Sequence, residues 1–275
     1  MSLAEPAYVS RLKVYCLYYS TKSTGTEDCL YLNVYSPDIP VTENQRKLPV
    51  LVCFFSDSFT KGNFDIYSPE YFMDTTEVLV VIVQFRLGPF GFLNLGLEEC
   101  PGNQGLWDQL LALEWIRDNI HAFGGDNSNV TLVGHGSGSI CVSYHLVSPQ
   151  TTGLFHRAIL MSGTFISPYF WQNYDSTKIA QLFLEELETE DLEELQDKSQ
   201  VEILEKANFM GDLNDDIPNP WVPCVDKNIK DCFLPDHPMK LDLKKMPIII
   251  GSIQDEGKFC LKKFYKYLVT IISII

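Results

Sequence analysis

Apolar and polar positions change period several times along the chain, and each change marks an element. Leu30, Leu32 and Val34 alternate with Tyr31, Asn33 and Tyr35, and Ser36-Pro37 stops the run, so residues 29–37 are predicted to be a strand. Residues 48–55 (LPVLVCFF) and 78–85 (VLVVIVQF) are apolar almost without interruption, as strands buried on both faces are. From Gly105 to Ile120, Leu106, Leu110, Leu113, Ile116 and Ile120 recur at helical spacing. Trp107, Leu111 and Trp115 widen that stripe, which predicts a largely buried helix. Residues 123–127 (FGGDN) read as a turn. Asn129 to Val133 is a short strand, Gly134 to Gly138 a turn of small residues, and Ile140, Val142 and Leu146 open a helix.

Residues 155–161 read as the next strand. Residues 176–208 are helical and acidic, with Leu182, Leu184, Leu187, Leu192 and Leu195 as apolar positions. Ser199 and Glu202 have the spacing of a capping box. Residues 214–238 are rich in proline and aspartate and are expected to be loop. Residues 246–251 (MPIIIG) read as a last buried strand, and Val269 to Ser273 also has strand character. Buried strands alternating with helices imply the α/β class, with a largely parallel sheet covered on both faces.

Composition changes this picture in three places. The net charge of -15 argues against nucleic acid and anionic membrane surfaces as partners. The dense acidic run from Glu185 to Glu194 is expected to be a solvated helix face, not a metal or partner site. Eight cysteines contain no CxxC pair, so no metal site is expected. Cys53 and Cys141 sit in apolar runs and are expected to be buried thiols. Cys16 and Cys29 flank a polar loop and are expected to close a disulfide, although spacing alone does not fix the pairing. Residues 1–15 lack the apolar core of a signal peptide, and no stretch reaches the roughly 18 apolar residues of a membrane span.

Candidate chemistry lies in NVTLVGHGSG, residues 129–138. Strand, tight turn and helix are the context of a nucleophile elbow, G-x-S-x-G. Here the five residues are Gly134, His135, Gly136, Ser137 and Gly138, so the serine falls one place late.

Several stretches together resemble the type-B carboxylesterase/cholinesterase family. They are EDCLYLNVYSP (27–37), RLGPFGFL (86–93), the long run 102–134, GLFHRAILMSG (153–163), FLPDHP (233–238) and GSIQDEG (251–257). The resemblance implies the α/β-hydrolase fold and an esterase ancestry, and it implies no cofactor. It covers about the first half of a family domain, from Cys16 to Gly257. The chain is therefore expected to be a single partial domain over residues 1–275, truncated after the acid-bearing strand. Family members are mostly secreted or membrane-tethered, which is the one indication of compartment.

Three departures from the family pattern decide the functional expectation. Gly136 occupies the serine position, and glycine has no hydroxyl to activate; it also adopts the strained elbow backbone at little cost. Ser137 would need a register shift to replace it, and its backbone N–H is the one that would serve an oxyanion hole. The family's H-G-G-G falls on Phe55, Ser56, Asp57 and Ser58. The oxyanion positions are thus Asp57, Ser58 and Ser137, and Asp57 places negative charge where negative charge would develop. The acid position matches Glu256, but none of His121, His135, His145, His156 and His237 matches the family's catalytic histidine, which lies beyond it. Family members without the serine act as adhesion or ligand-binding ectodomains. The resemblance therefore implies a catalytically inactive protein whose partner is another protein or a small apolar ligand. The alternatives are a carboxylic ester hydrolase working through a serine acyl-enzyme, or a non-functional fragment of one.

Overall fold

The computed structural model describes residues 16–19, 23–37, 47–62, 69–73, 75–167, 175–213 and 219–256. Eight strands occur in them, in two sheets. A short ribbon pairs β1 (Tyr18–Tyr19) with β2 (Ser23–Thr24). Next to it the expected disulfide joins Cys16 to Cys29, both buried. The main sheet contains β3 (Leu32–Tyr35), β4 (Leu48–Ser56), β5 (Leu79–Val83), β6 (Gly125–Gly136), β7 (Arg157–Met161) and β8 (Ile248–Gly251). Its order is β3-β5-β4-β6-β7-β8, with β3 antiparallel to β5 and every other pairing parallel. The connections carry α1 (Glu70–Met73), α2 (Gly88–Phe92), α3 (Gln104–Asn119), α4 (Ser137–Val147), α5 (Ser176–Glu186), α6 (Leu192–Gln196) and α7 (Gln200–Leu213).

The uninterrupted apolar runs make sense in this sheet. In β4 and β5 the side chains alternate between two faces. Val50, Val52, Phe54, Leu79, Val81 and Val83 enter the larger core, which α3 and α4 complete through Leu106, Leu113, Ile140 and Val142. Cys53, Phe55, Val80 and Ile82 enter a smaller cluster with Met73 on the other face. Burial pushes the thiols of Cys53 and Cys141 up to about 12, so both stay neutral and pack as small apolar groups.

Several sequence expectations need correction. The turn expected at 123–127 is shorter: a 3-10 turn ends at Phe123, and β6 already starts at Gly125, because Leu48 donates to Gly124 O and pairs with Gly125. Leu111 does not join the buried stripe of α3 and is 60% exposed, while Asn33 on β3 is buried. The acidic helical region is three helices: the further helix that the Ser199 capping box announces is α7, and the stretch before it divides into α5 and α6. Glu188 takes a left-handed φ of 54°, which closes α5, and Asp191 then caps α6 by accepting from Glu194 N at 2.9 Å. Ser199 Oγ accepts from Glu202 N at 3.3 Å, one half of the expected capping box. The largest correction is β8. Its sequence is that of a buried strand, yet Ile249 and Ile250 are 65% and 67% exposed. Among the described residues β8 pairs with β7 alone, and of its side chains only Ile248 packs against the core.

An ion pair fixes the loop after β5 to α3. Arg86 N and Nε donate to Asp108 Oδ2 at 3.0 and 2.8 Å, and Nη2 donates to Oδ1 at 2.6 Å. The hydrogen bonds to buried Asp108 hold the Arg86 pKa above its usual value. Asp108→Ala removes three charge-assisted bonds together. We expect a loss of about 2–3 kcal/mol in a urea titration, and an unchanged midpoint would mean the fork is not formed in solution.

Candidate functional site

The site forms where β6 runs into α4 without a loop. Gly136 is the last residue of β6, and Ser137 is the first of α4. The reversal happens within one residue: Gly136 has φ 57° and ψ -123°, a backbone that L side chains rarely adopt. The turn is close because its neighbours permit it. A Cβ on Gly138 would lie 2.0 Å from Phe54 O, so that position must stay glycine for α4 to lie against β4. A Cβ on Gly136 would meet nothing within 4 Å. Position 136 therefore points into open space, with room for a side chain that is not there.

Ser137 points elsewhere. It is 3% exposed, its Oγ donates to Ser56 O at 2.7 Å, and it lies 2.9 Å from Ser56 Oγ. The hydroxyl thus joins α4 to the end of β4. Ser139 does comparable work, donating to Gly163 O at 2.6 Å. Both are buried small residues packed at the start of α4.

The loop after β4 carries the other two oxyanion positions. Asp57 N donates to Lys61 O at 2.7 Å, so this amide is engaged within its own turn. The exposed Asp57 carboxylate accepts from Ser58 Oγ at 3.0 Å. Ser58 and Phe59 both take left-handed φ values, 53° and 60°, without being glycine. That backbone costs on the order of 1–2 kcal/mol per residue. Neighbouring groups hold it in place. Phe59 is fully buried, with its ring edge-on to Phe92 at 5.2 Å, and Gly88 N donates to Phe59 O. Buried Asn219 Nδ2 donates to Ser58 O at 2.5 Å.

Glu256 is exposed beyond the carboxyl end of β8. Its Oε1 accepts from Ile253 N at 3.2 Å. A hydrogen bond from the Ser162 hydroxyl, then the Ile253 N–H, then the charge of His135 hold its carboxyl below the usual range. His135 precedes Gly136, is exposed, and pairs in register with Met161 beside Ser162. The structure thus brings Gly136, His135, Ser162 and Glu256 to the same end of adjacent parallel strands, the end where α/β sheets place ligands.

The other histidines are occupied elsewhere. His145 is fully buried, stacked on Phe54 at 5.3 Å, with Nε2 2.9 Å from Gln109 Oε1. Burial, and then the charge of Lys244, lower its pKa to about 3. His156 Nδ1 accepts from Val130 N, and His237 Nδ1 accepts from Met239 N. His121 is exposed in the 3-10 turn after α3.

Three residues make contacts at the site that the sequence does not announce. Ser56 and Asn219 matter through contacts spanning 81 and 161 residues. Ser162 reads only as the residue that ends a strand. Among the described residues no group of His, Cys, Asp and Glu side chains is arranged to hold a metal, and no helix is long and apolar enough to cross a membrane.

The comparisons with known proteins agree with this geometry. The model of the carboxylesterase family matches residues 12–271. Acetylcholinesterase of Leptinotarsa decemlineata is 34% identical over 270 residues, covering 86% of this chain and 42% of that protein. Esterase FE4 of Myzus persicae is 36% identical over 246 residues, covering 86% of this chain and 43% of that protein. The crystal structure of juvenile hormone esterase from Manduca sexta, with OTFP covalently attached, superposes with a TM-score of 0.76 at 28% identity. It covers 86% of this chain and 48% of that one. The chain thus spans less than half the length of the relatives it matches. On its residues, its sheet order and its strand-to-helix elbow, the chain belongs to the carboxylesterase family.

Proposed function

We propose that this chain is a catalytically inactive member of its family with a binding or adhesion role. The observation that carries the reading is the elbow. It keeps the strained backbone of a nucleophile turn, but Gly136 presents no atom to attack with, and the nearest hydroxyl, on Ser137, is directed into Ser56. Two features support it further. The Asp57 amide is committed to Lys61 O, so a developing oxyanion would compete for it. His145 is buried, and His121, His156 and His237 lie in other parts of the fold. The natural partner in this reading is another protein or a small apolar ligand, with no nucleic acid and no cofactor.

One observation favours a second reading, a carboxylic ester hydrolase. His135 and Glu256 stand at the same strand ends, and the charge of His135 favours ionised Glu256. An imidazole beside a carboxylate is the pairing that activates a serine in such enzymes. The variant Gly136→Ser tests both. Its hydroxymethyl group fits the open space at 136. The inactive reading expects hydrolysis of a p-nitrophenyl ester to stay at the level of the unmodified chain, since a hydroxyl without a base or oxyanion donors is not activated. Turnover in that variant would place the defect in residue 136 alone and favour the second reading.

A further inference from the structure

β6 enters the sheet through a bulge. Leu48 pairs with Gly125 and Val50 pairs with Val130, so β4 has one residue, Pro49, where β6 has four, Asp126 to Asn129. The extra residues bend out of the ladder. Asn127 and Ser128 are exposed and Asn129 is partly exposed, while Val130 and Leu132 beyond them are buried. Asp126 Oδ1 closes the bulge, accepting from Ser128 N at 2.9 Å and from Ser128 Oγ at 2.6 Å. Asn129-Val130-Thr131 is the one Asn-x-Ser/Thr triplet among the 275 residues, and such triplets accept N-linked glycan at the surface of secreted chains. The Asn129 side chain is oriented for this. Its Oδ1 accepts from Arg157 Nη1 at 2.5 Å. A guanidinium only donates, so the oxygen must face Arg157, and the nitrogen, the atom that would carry a glycan, faces away from it. The Cys16–Cys29 disulfide is an independent pointer, because disulfides form in the oxidising compartments through which secreted chains pass.

We propose that Asn129 is an N-glycosylation site. Its Nδ2 forms a bond to the anomeric carbon of a lipid diphosphate-linked oligosaccharide as the anomeric C–O bond breaks. The lipid diphosphate departs with that electron pair, and the amide gives up one proton. The transfer acts on the chain before it folds, so the burial of Thr131 in the finished sheet does not block it. The folded chain needs only an outlet for the glycan, and the bulge provides one. It lies toward the amino end of β6, away from the elbow at Gly136, so a glycan there leaves the candidate site open. The inference holds whether or not the elbow is active.

The test is to translate the full chain behind a cleavable signal peptide, first with endoplasmic-reticulum microsomes and then in a secreting cell line. Peptide-N-glycosidase F is expected to remove a glycan and convert Asn129 to aspartate, read by mass spectrometry. Thr131→Val keeps a β-branched residue in the strand and is expected to abolish the glycan, whereas Thr131→Ser is expected to retain it. The microsomal reaction reads the transfer whether or not a variant folds afterwards. Two outcomes overturn the proposal. One is unmodified Asn129 in chains whose Cys16–Cys29 disulfide has formed. The other is a glycan confined to retained, aggregated chains while the secreted chain is bare at 129, which would mean that the folded bulge has no outlet for it.

Discussion

Gly138→Ala is expected to abolish the soluble fold, whereas Gly136→Ala, two residues earlier, should leave it standing. The added Cβ at 138 would lie 2.0 Å from Phe54 O and 2.8 Å from Phe54 C. Both are backbone atoms in the middle of the sheet, so α4 would have to move away from β4. Overpacking of this kind costs at least about 3 kcal/mol, and the large core cluster lies under the displaced helix. At 136 the same atom meets nothing, and the cost is confined to a left-handed φ, roughly 1–3 kcal/mol. Soluble expression and thermal melting separate the two variants. Equal damage at both positions would show that residue 136 does not point into open space.

The second large effect is on stability against pH. His145 is neutral in the folded chain down to about pH 3 but titrates near 6.5 when unfolded. Between these values the unfolded state binds the extra proton, so stability falls as pH falls. From pH 6.5 to 5.0 this group alone removes about 2 kcal/mol, and the full loss by pH 3 is on the order of 5 kcal/mol. The window above pH 5 lies clear of most carboxylates. His145→Phe keeps the ring against Phe54 and Phe233 but leaves Gln109 Oε1 without its partner. It should be less stable by about 1–3 kcal/mol at pH 7.5, yet lose less on acidification to pH 5.0. Urea midpoints at the two pH values check both parts, and an equal slope in the two proteins would contradict the burial of His145.

Much of the sheet was legible in the sequence because its signals are local. Residues 48–55 and 78–85 are apolar almost throughout, Gln84 apart, because both faces are covered, and β5 and all but the last residue of β4 fall within them. The elbow was legible because close backbone contacts demand glycine at 134 and 138, and the left-handed φ at 136 favours it there. Features set by distant partners were not legible. The direction of the Ser137 hydroxyl depends on Ser56, and the left-handed Ser58-Phe59 backbone depends on Asn219 and Phe92. The engagement of the Asp57 amide by Lys61 O is local but belongs to a turn type that Ser-Asp-Ser-Phe does not announce. The break after Leu187 was hidden for another reason. The acidic run has good helix propensity throughout, and only the burial of Leu187 shows why the chain turns there.

The physical basis of the proposed inactivity is that the elbow's geometry outlasts its chemistry. A fluorophosphonate probe with mass-spectrometric mapping reports directly on an activated serine. No modification of Ser137, or of any other serine, is expected, because the Ser137 hydroxyl is buried and donates to Ser56 O. Stoichiometric labelling of Ser137 would contradict the proposal, since it would require the hydroxyl to turn outward and find a base.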